Sequence, residues 1–220
     1  MYYWDLARHV TRRFRRKRYR NFTSLFPPEK CGRILDLGGS AELWEMMEYP
    51  AEITLLNISK NWLTVPETSR RTYIPIVGDG RQTDYPDRSF DLAFSNSVIE
   101  HVGSKHDAAR FAGEMQRVGR AFYCQTPNKW FPIEPHLGTL FLHWFPWLLE
   151  RYFVFRYLTL WGLMHKPDRT TAKLAAKDAR LLTKREMKKL FPGAEIVTER
   201  LLLLPKSYIA MRRPGSNPEV

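Results

Sequence analysis

Apolar and polar positions in the middle of this chain follow two alternating periods. Short apolar runs lie at residues 34–37, 52–57, 72–77, 90–95 and 121–126, and each stops at a polar residue, a glycine or a proline. Helical spacing intervenes, with Leu43, Met46 and Met47 inside 41–48 and Phe111, Met115 and Val118 inside 106–118. Apolar runs of this length, separated by helices, predict parallel strands covered by helices on both faces.

The last part of the chain changes character. Residues 183–191 predict a helix with Thr183 as N-cap, Glu186 as its capping-box partner and Pro192-Gly193 as the stop. Residues 194–203 and 207–212 then predict two strands joined by a turn at Pro205-Lys206, hence an antiparallel hairpin. The expected class is α/β, a mostly parallel sheet finished by a C-terminal antiparallel hairpin. No internal repeat is visible.

Between the fifth strand and that helix, residues 129–165 carry a dense set of large apolar groups, including Trp130, Phe141, Trp144, Trp147, Phe153, Tyr157 and Trp161. The longest stretch without a full charge, 137–149, has 13 residues. A bilayer-spanning helix needs roughly 20, so no transmembrane segment is predicted. Three readings stay open for this block: a lid over an apolar acceptor, an in-plane membrane contact, or a dimer interface. Helices packed on the sheet with buried aromatics are as good an account.

Composition sharpens this picture. The 220 residues are 44% hydrophobic and 14% aromatic, which suits one folded α/β domain. The net charge of +12 is uneven: residues 1–20 hold eight Lys/Arg against Asp5, a local +7, which leaves +5 for the rest. Such an arm suits anionic lipid, an acidic glycan or nucleic acid, or it is a solvated helix covering one end of the fold. No apolar region follows it, which argues against a secretory signal. Cys31 and Cys124 lack metal-ligand spacing and make no disulfide framework, so free thiols in a reducing cytoplasm are expected.

Candidate chemistry sits where the strands end. After the first strand stands Asp36-Leu-Gly38-Gly39-Ser40; after the second, Asn57-Ile58-Ser59; after the third, Gly78-Asp79-Gly80; after the fourth, Ser95-Asn96-Ser97. This succession resembles the class I S-adenosylmethionine-dependent methyltransferases, over residues 30–128 and again near the C-terminus. The resemblance implies a Rossmann-like sheet with S-adenosylmethionine at the carboxyl ends of its strands. Gly38, Gly39 and Ser40 would let the methionine part approach the main chain, and Asp36 would receive its ammonium. Asn57, with Ile58 beside it, takes the place of the ribose-binding carboxylate. Asp79 and Gly80 would hold the adenine edge, and Ser95 and Asn96 would line the cleft beside the methyl group.

Two departures are visible: only the first glycine of the alternating Gly-x-Gly-x-Gly pattern is kept, and Asn57 is uncharged. A nicotinamide enzyme would want an intact Gly-x-Gly-x-x-Gly turn and a carboxylate at that second position, so hydride transfer ranks lower. No phosphate-binding loop and no metal-ligand spacing occur. On the acceptor side, 126–136 resembles a bacterial-type subgroup acting on small-molecule, glycan or lipid-linked substrates. His136, Glu134 and His101 are the candidate bases.

The expected layout is a basic arm at 1–29, a cofactor-binding domain at 30–128 and 183–213, an aromatic insertion or lid at 129–182, and a tail at 214–220. The expected activity is O- or N-methylation of a small, apolar or lipid- or glycan-linked acceptor in the cytoplasm, with peripheral membrane contact open. The rival readings are a non-catalytic binding protein that kept the fold, and an RNA methyltransferase.

Overall fold

The computed structural model describes residues 18–47, 49–67, 69, 71–134, 137–178 and 180–216. Apolar runs become strands wherever the sequence predicts them. β1 (Arg33–Leu37) pairs in parallel with β2 (Glu52–Asn57) and with β4 (Phe90–Asn96), and β2 pairs in parallel with β3 (Thr72–Val77). With β5 (Gly119–Pro127), β8 (Glu195–Leu201) and β9 (Leu204–Arg212) they form a seven-stranded sheet in the order β3-β2-β1-β4-β5-β9-β8. A two-stranded ladder, β6 (Ile133–Glu134) with β7 (Thr139–Leu140), stands apart from that sheet. The α/β class and the closing antiparallel pair are as expected from the patterning.

The chain divides into two compact units. The first holds the described residues up to Phe94, with Glu114–Phe122 and the stretch from Arg212. Its core gathers Ile34, Leu35 and Leu37 of β1 and Ile53 and Leu55 of β2, all fully buried. A helix over 18–25 (α1) belongs to this core. Tyr19 and Phe22 are buried, and Phe26, just beyond the helix, is buried with them. Phe22 lies 6.1 Å from Trp44 and 5.3 Å from Phe94 between ring centroids. Tyr19, Phe22 and Phe26 are spaced i, i+3, i+7, a core face inside a stretch that by charge alone reads as an arm. Residues 1–17, the more basic part of that arm, lie outside the described residues.

The second unit holds Ser95–Gly113 and Tyr123–Met211. α3 (Lys105–Val118) starts at Ser104, whose hydroxyl accepts from Asp107 N at 3.2 Å while Ser104 N donates to the Asp107 carboxylate at 3.0 Å. α8 (Lys184–Leu190) carries the predicted capping box between Thr183 and Glu186. Between β7 and α8 the aromatic segment folds into short helices: α4 (Pro146–Leu149), α5 (Tyr152–Leu158), α6 (Leu160–His165) and α7 (Arg169–Asp178). They enclose a small core of Leu137, Leu149, Phe155 and Ala172.

One predicted element is misplaced. The hairpin turns at Leu202-Leu203, and Pro205 lies within β9 opposite Arg200, next to an irregularity at Glu199/Arg200. Pro205 has no N–H to lose there, and its carbonyl accepts from Asn128 Nδ2 at 2.7 Å. The dipeptide that looked like a turn therefore opens a strand. Among the described residues no helix is long and apolar enough to cross a membrane.

Candidate functional site

In the first unit the ends of β1, β2 and β3 are tied together through their turns. Gly38 N donates to Leu56 O at 2.7 Å, and Gly78 N donates to Asn57 O at 3.0 Å. Gly38 takes φ +82°, the left-handed region in which glycine is unstrained. Gly39 is glycine for a different reason. A Cβ placed there would lie 1.7 Å from Asp36 Oδ2, so the turn closes directly over the Asp36 carboxylate.

Asp36 is buried, and Trp44 Nε1 of α2 (Ala41–Met47) donates to its Oδ2 at 2.7 Å. Its Oδ1 has no hydrogen-bond partner. Burial raises the carboxyl, and the Trp44 hydrogen bond lowers it only in part, so it titrates at about 7. A buried indole N–H needs an acceptor, and Trp44 finds it eight residues back, across the turn. No motif in the sequence announced that pairing.

Asn57 is buried and acts as a tie. Its Nδ2 donates to Gly39 O at 3.2 Å and its Oδ1 accepts from Ser59 N at 3.1 Å. The amide so links the second strand end to the glycine turn. Ile58 beside it is 75% exposed, and Ser40 is half-buried. Asp79 is engaged by its own loop: Arg81 Nε donates to Oδ1 at 2.9 Å and Arg81 Nη2 to Oδ2 at 2.7 Å, with Gly80 half-buried between them.

The loop after Asp79 is anchored by Glu114, whose Oε1 accepts from Thr83 N at 2.7 Å and from Arg117 Nη2 at 2.8 Å. Burial pushes that carboxyl up, but the bonds from Arg117 and Thr83 outweigh it and hold Glu114 below the usual carboxylate range. Asp36, Gly38, Gly39 and Asn57 are thus brought together, and Asp79 is joined to them through Gly78.

In the second unit, β4 ends with Ser95 buried and Asn96 half-buried. Ser97 takes φ +57°, and its N and Oγ both donate to Gln125 at 2.9 Å. His101 closes the 3-10 turn Ile99–His101, and its N donates to Val98 O at 2.8 Å. Its neighbour Glu100, absent from the sequence-based candidates, is buried and accepts from Thr126 Oγ1 at 2.9 Å.

Glu134, a candidate base, is buried, and its Oε2 accepts from Leu137 N. It sits opposite Thr139 in the β6–β7 ladder, so its carboxylate secures that turn. His136 lies outside the described residues. His143, which sequence reasoning placed only in the aromatic block, has Nε2 3.2 Å from Lys129 O and a buried Nδ1 with no partner. Burial lowers its pKa, so its ring is neutral near pH 7. An isolated histidine among aromatics gives no sequence signal that would have singled it out.

Residues 35–121 match the family model described as a methyltransferase domain. The structure aligns with a SAM-dependent methyltransferase from Methanosarcina mazei at TM-score 0.55 and 16% identity, over 83% of this chain and 92% of that one. Residues 35–121 are therefore similar to a methyltransferase domain, and the fold is the one that this SAM-dependent methyltransferase has. The methyltransferase domain of bacterial CtHen1 shares the fold as well, at TM-score 0.52 and 15% identity, over 88% of this chain and 96% of that one. An uncharacterised protein of Mycobacterium tuberculosis is 33% identical over 65 residues, 29% of this chain. That match spans about a fifth of the relative's length, 22%.

Similarity to a methyltransferase domain implies S-adenosyl-L-methionine as the cofactor, and the residues around Asp36 fit it. A buried carboxylate with one unpartnered oxygen suits an ammonium group, and glycines at 38 and 39 leave the main chain bare above it. The fit is poorer at Asn57 and Asp79, whose polar atoms already serve Ser59, Gly39 and Arg81.

Proposed function

We propose that the protein transfers a methyl group from S-adenosylmethionine to an oxygen or nitrogen of a small, apolar or lipid- or glycan-linked acceptor. The observation that carries this reading is Asp36, a buried carboxylate with a vacant hydrogen-bonding oxygen beneath a glycine turn, inside a stretch that matches a methyltransferase domain. When bound, the cofactor supplies an electrophilic methyl on a sulfonium. The chain's work is alignment, exclusion of water and removal of the acceptor's proton.

Asp36 and the bare turn orient the amino-acid end, and Asn57 offers the ribose only the second N–H and second lone pair that Gly39 and Ser59 leave, with the Ser59 hydroxyl beside it. Asp79 reaches the adenine edge by sharing or releasing Arg81. His136 is assigned the acceptor's proton, with His101 and Glu134 as substitutes. An apolar acceptor is favoured by the second unit, where Trp147, Phe153, Leu158, Leu163 and Met164 all face solvent.

The test is incubation with methyl-tritiated S-adenosylmethionine and, in parallel, a lipid extract, a polar-metabolite fraction and total RNA. Label in the organic phase is expected. Label in RNA alone would replace this acceptor class. A second reading, a cofactor-binding protein without turnover, draws on the occupied Asn57 and Asp79; saturable binding with no labelled product in any fraction would favour it.

A further inference from the structure

The turn between β8 and β9 breaks two local rules at once. Two-residue hairpin turns favour Asn, Asp or Gly, because at least one residue must take positive φ. Here the turn is Leu202-Leu203, and Leu202 takes φ +55°. An aliphatic residue in that region is sterically disfavoured, and burying its side chain is one way to offset the cost. Leu202 is instead 90% exposed, Leu203 87% and Leu204 48%. Among the described residues, Leu202 and Leu203 bury almost none of their side chains, and Leu204 buries about half.

Their surroundings supply the missing partner's chemistry. Arg200 is exposed and its Nη1 donates to Leu203 O at 2.9 Å, which satisfies a carbonyl of the turn and sets a guanidinium beside it. The base of the hairpin is bonded to the residue that follows β5: Asn128 N donates to Lys206 O at 2.9 Å. Two residues on, Trp130 N donates to Asn128 Oδ1, and Trp130 is 56% exposed with Lys129 Nζ 5.4 Å from a ring centroid. Trp144 and then Phe141 continue this aromatic group, with centroids 6.3 Å and 4.9 Å apart in turn. The base of the leucine hairpin is thus joined to the segment just past the carboxyl end of β5, with Arg200 on the hairpin and Lys129 and the exposed Trp130 on that segment.

We propose that this hairpin tip inserts into the interface of an anionic lipid bilayer. A protruding aliphatic tip with a tryptophan and a basic rim matches the layering of such an interface, hydrocarbon first, then aromatic and cationic groups at the headgroups. The net charge of +12 adds long-range attraction to anionic lipid. Docking there rests on this geometry alone; its use, bringing the carboxyl end of β5 to a lipid-linked acceptor, rests on the methyl-transfer reading.

The experiment is co-sedimentation of the full chain, without cofactor, with phosphatidylcholine vesicles and with vesicles containing about 30% phosphatidylglycerol, at about 0.15 M and about 0.5 M salt. The protein is expected to sediment with the anionic vesicles. Leu202→Ser/Leu203→Ser should lower the partition coefficient at least tenfold at both salt concentrations, with an unchanged melting curve. Arg200→Gln should lower it a few-fold, and only at the lower salt. Equal binding by the leucine variant, or no sedimentation of the unaltered protein, overturns the proposal. A dimer that the leucine variant turns into a monomer, with no vesicle binding, overturns it as well and assigns the tip to a second copy.

Discussion

Gly38 and Leu202 both take positive φ at a sharp turn, and the two turns obey opposite logics. At the first, the sequence supplies glycine, the carboxylate beneath is buried, and each strand end is tied to the next by hydrogen bonds. At the second, the sequence supplies leucine where turn chemistry disfavours it and leaves the side chain in water. The first turn is shaped by what the chain encloses. The second makes sense only through something outside the chain. A local rule kept marks internal demand, and a local rule broken without internal gain marks an external one.

That contrast can be broken most forcefully at Gly39. Gly39→Ala drives a methyl group into the Asp36 carboxylate and should cost about 3 kcal/mol, lowering Tm by about 6–12 °C. In an Asp36→Ala background the same change should cost far less, because its clash partner is gone. Equal losses in both backgrounds, read by thermal melting, would mean that the turn does not close on the carboxylate.

A second prediction concerns pH. The unfolded Asp36 carboxyl gives up its proton near pH 4, whereas burial keeps the folded one protonated until about 7. Between those values the native state binds more protons, so stability falls as pH rises. Asp36→Asn should remove that part of the slope in denaturant titrations. Affinity for S-adenosylmethionine should rise through pH 7, since its ammonium prefers the ionised carboxylate, and this rise should vanish in the same variant.

The smallest effect comes from the other turn and carries the opposite sign. Leu202→Gly relieves a left-handed aliphatic residue and should stabilise the fold by about 1 kcal/mol, raising Tm by about 2–4 °C. A loss of stability would show that Leu202 has a packing role in the folded chain.

Much of the fold was legible because it rests on local pattern. The apolar runs at 52–57 and 72–77 became β2 and β3 with those bounds, and the Thr183–Glu186 capping box formed as spaced. The glycine turn with Asp36 was legible for the same reason. What the sequence hid depends on tertiary contact. Trp44 reveals its role only once α2 folds back over β1, and Glu100 only once β5 brings Thr126 beside it. Pro205 misled because a proline that reads as a turn also fits a strand position whose N–H is not required. The solvent-facing leucines were in view, but exposure is a property of the fold and not of the letters.

The most direct measurement is calorimetric titration of the protein with S-adenosylmethionine near pH 8, alongside Asp36→Asn. Saturable one-to-one binding is predicted, weakened at least tenfold by the substitution, as expected for losing a charge-assisted bond in a buried site. Absent or millimolar binding, or an affinity that the substitution leaves unchanged, would contradict the central claim that Asp36 anchors the cofactor.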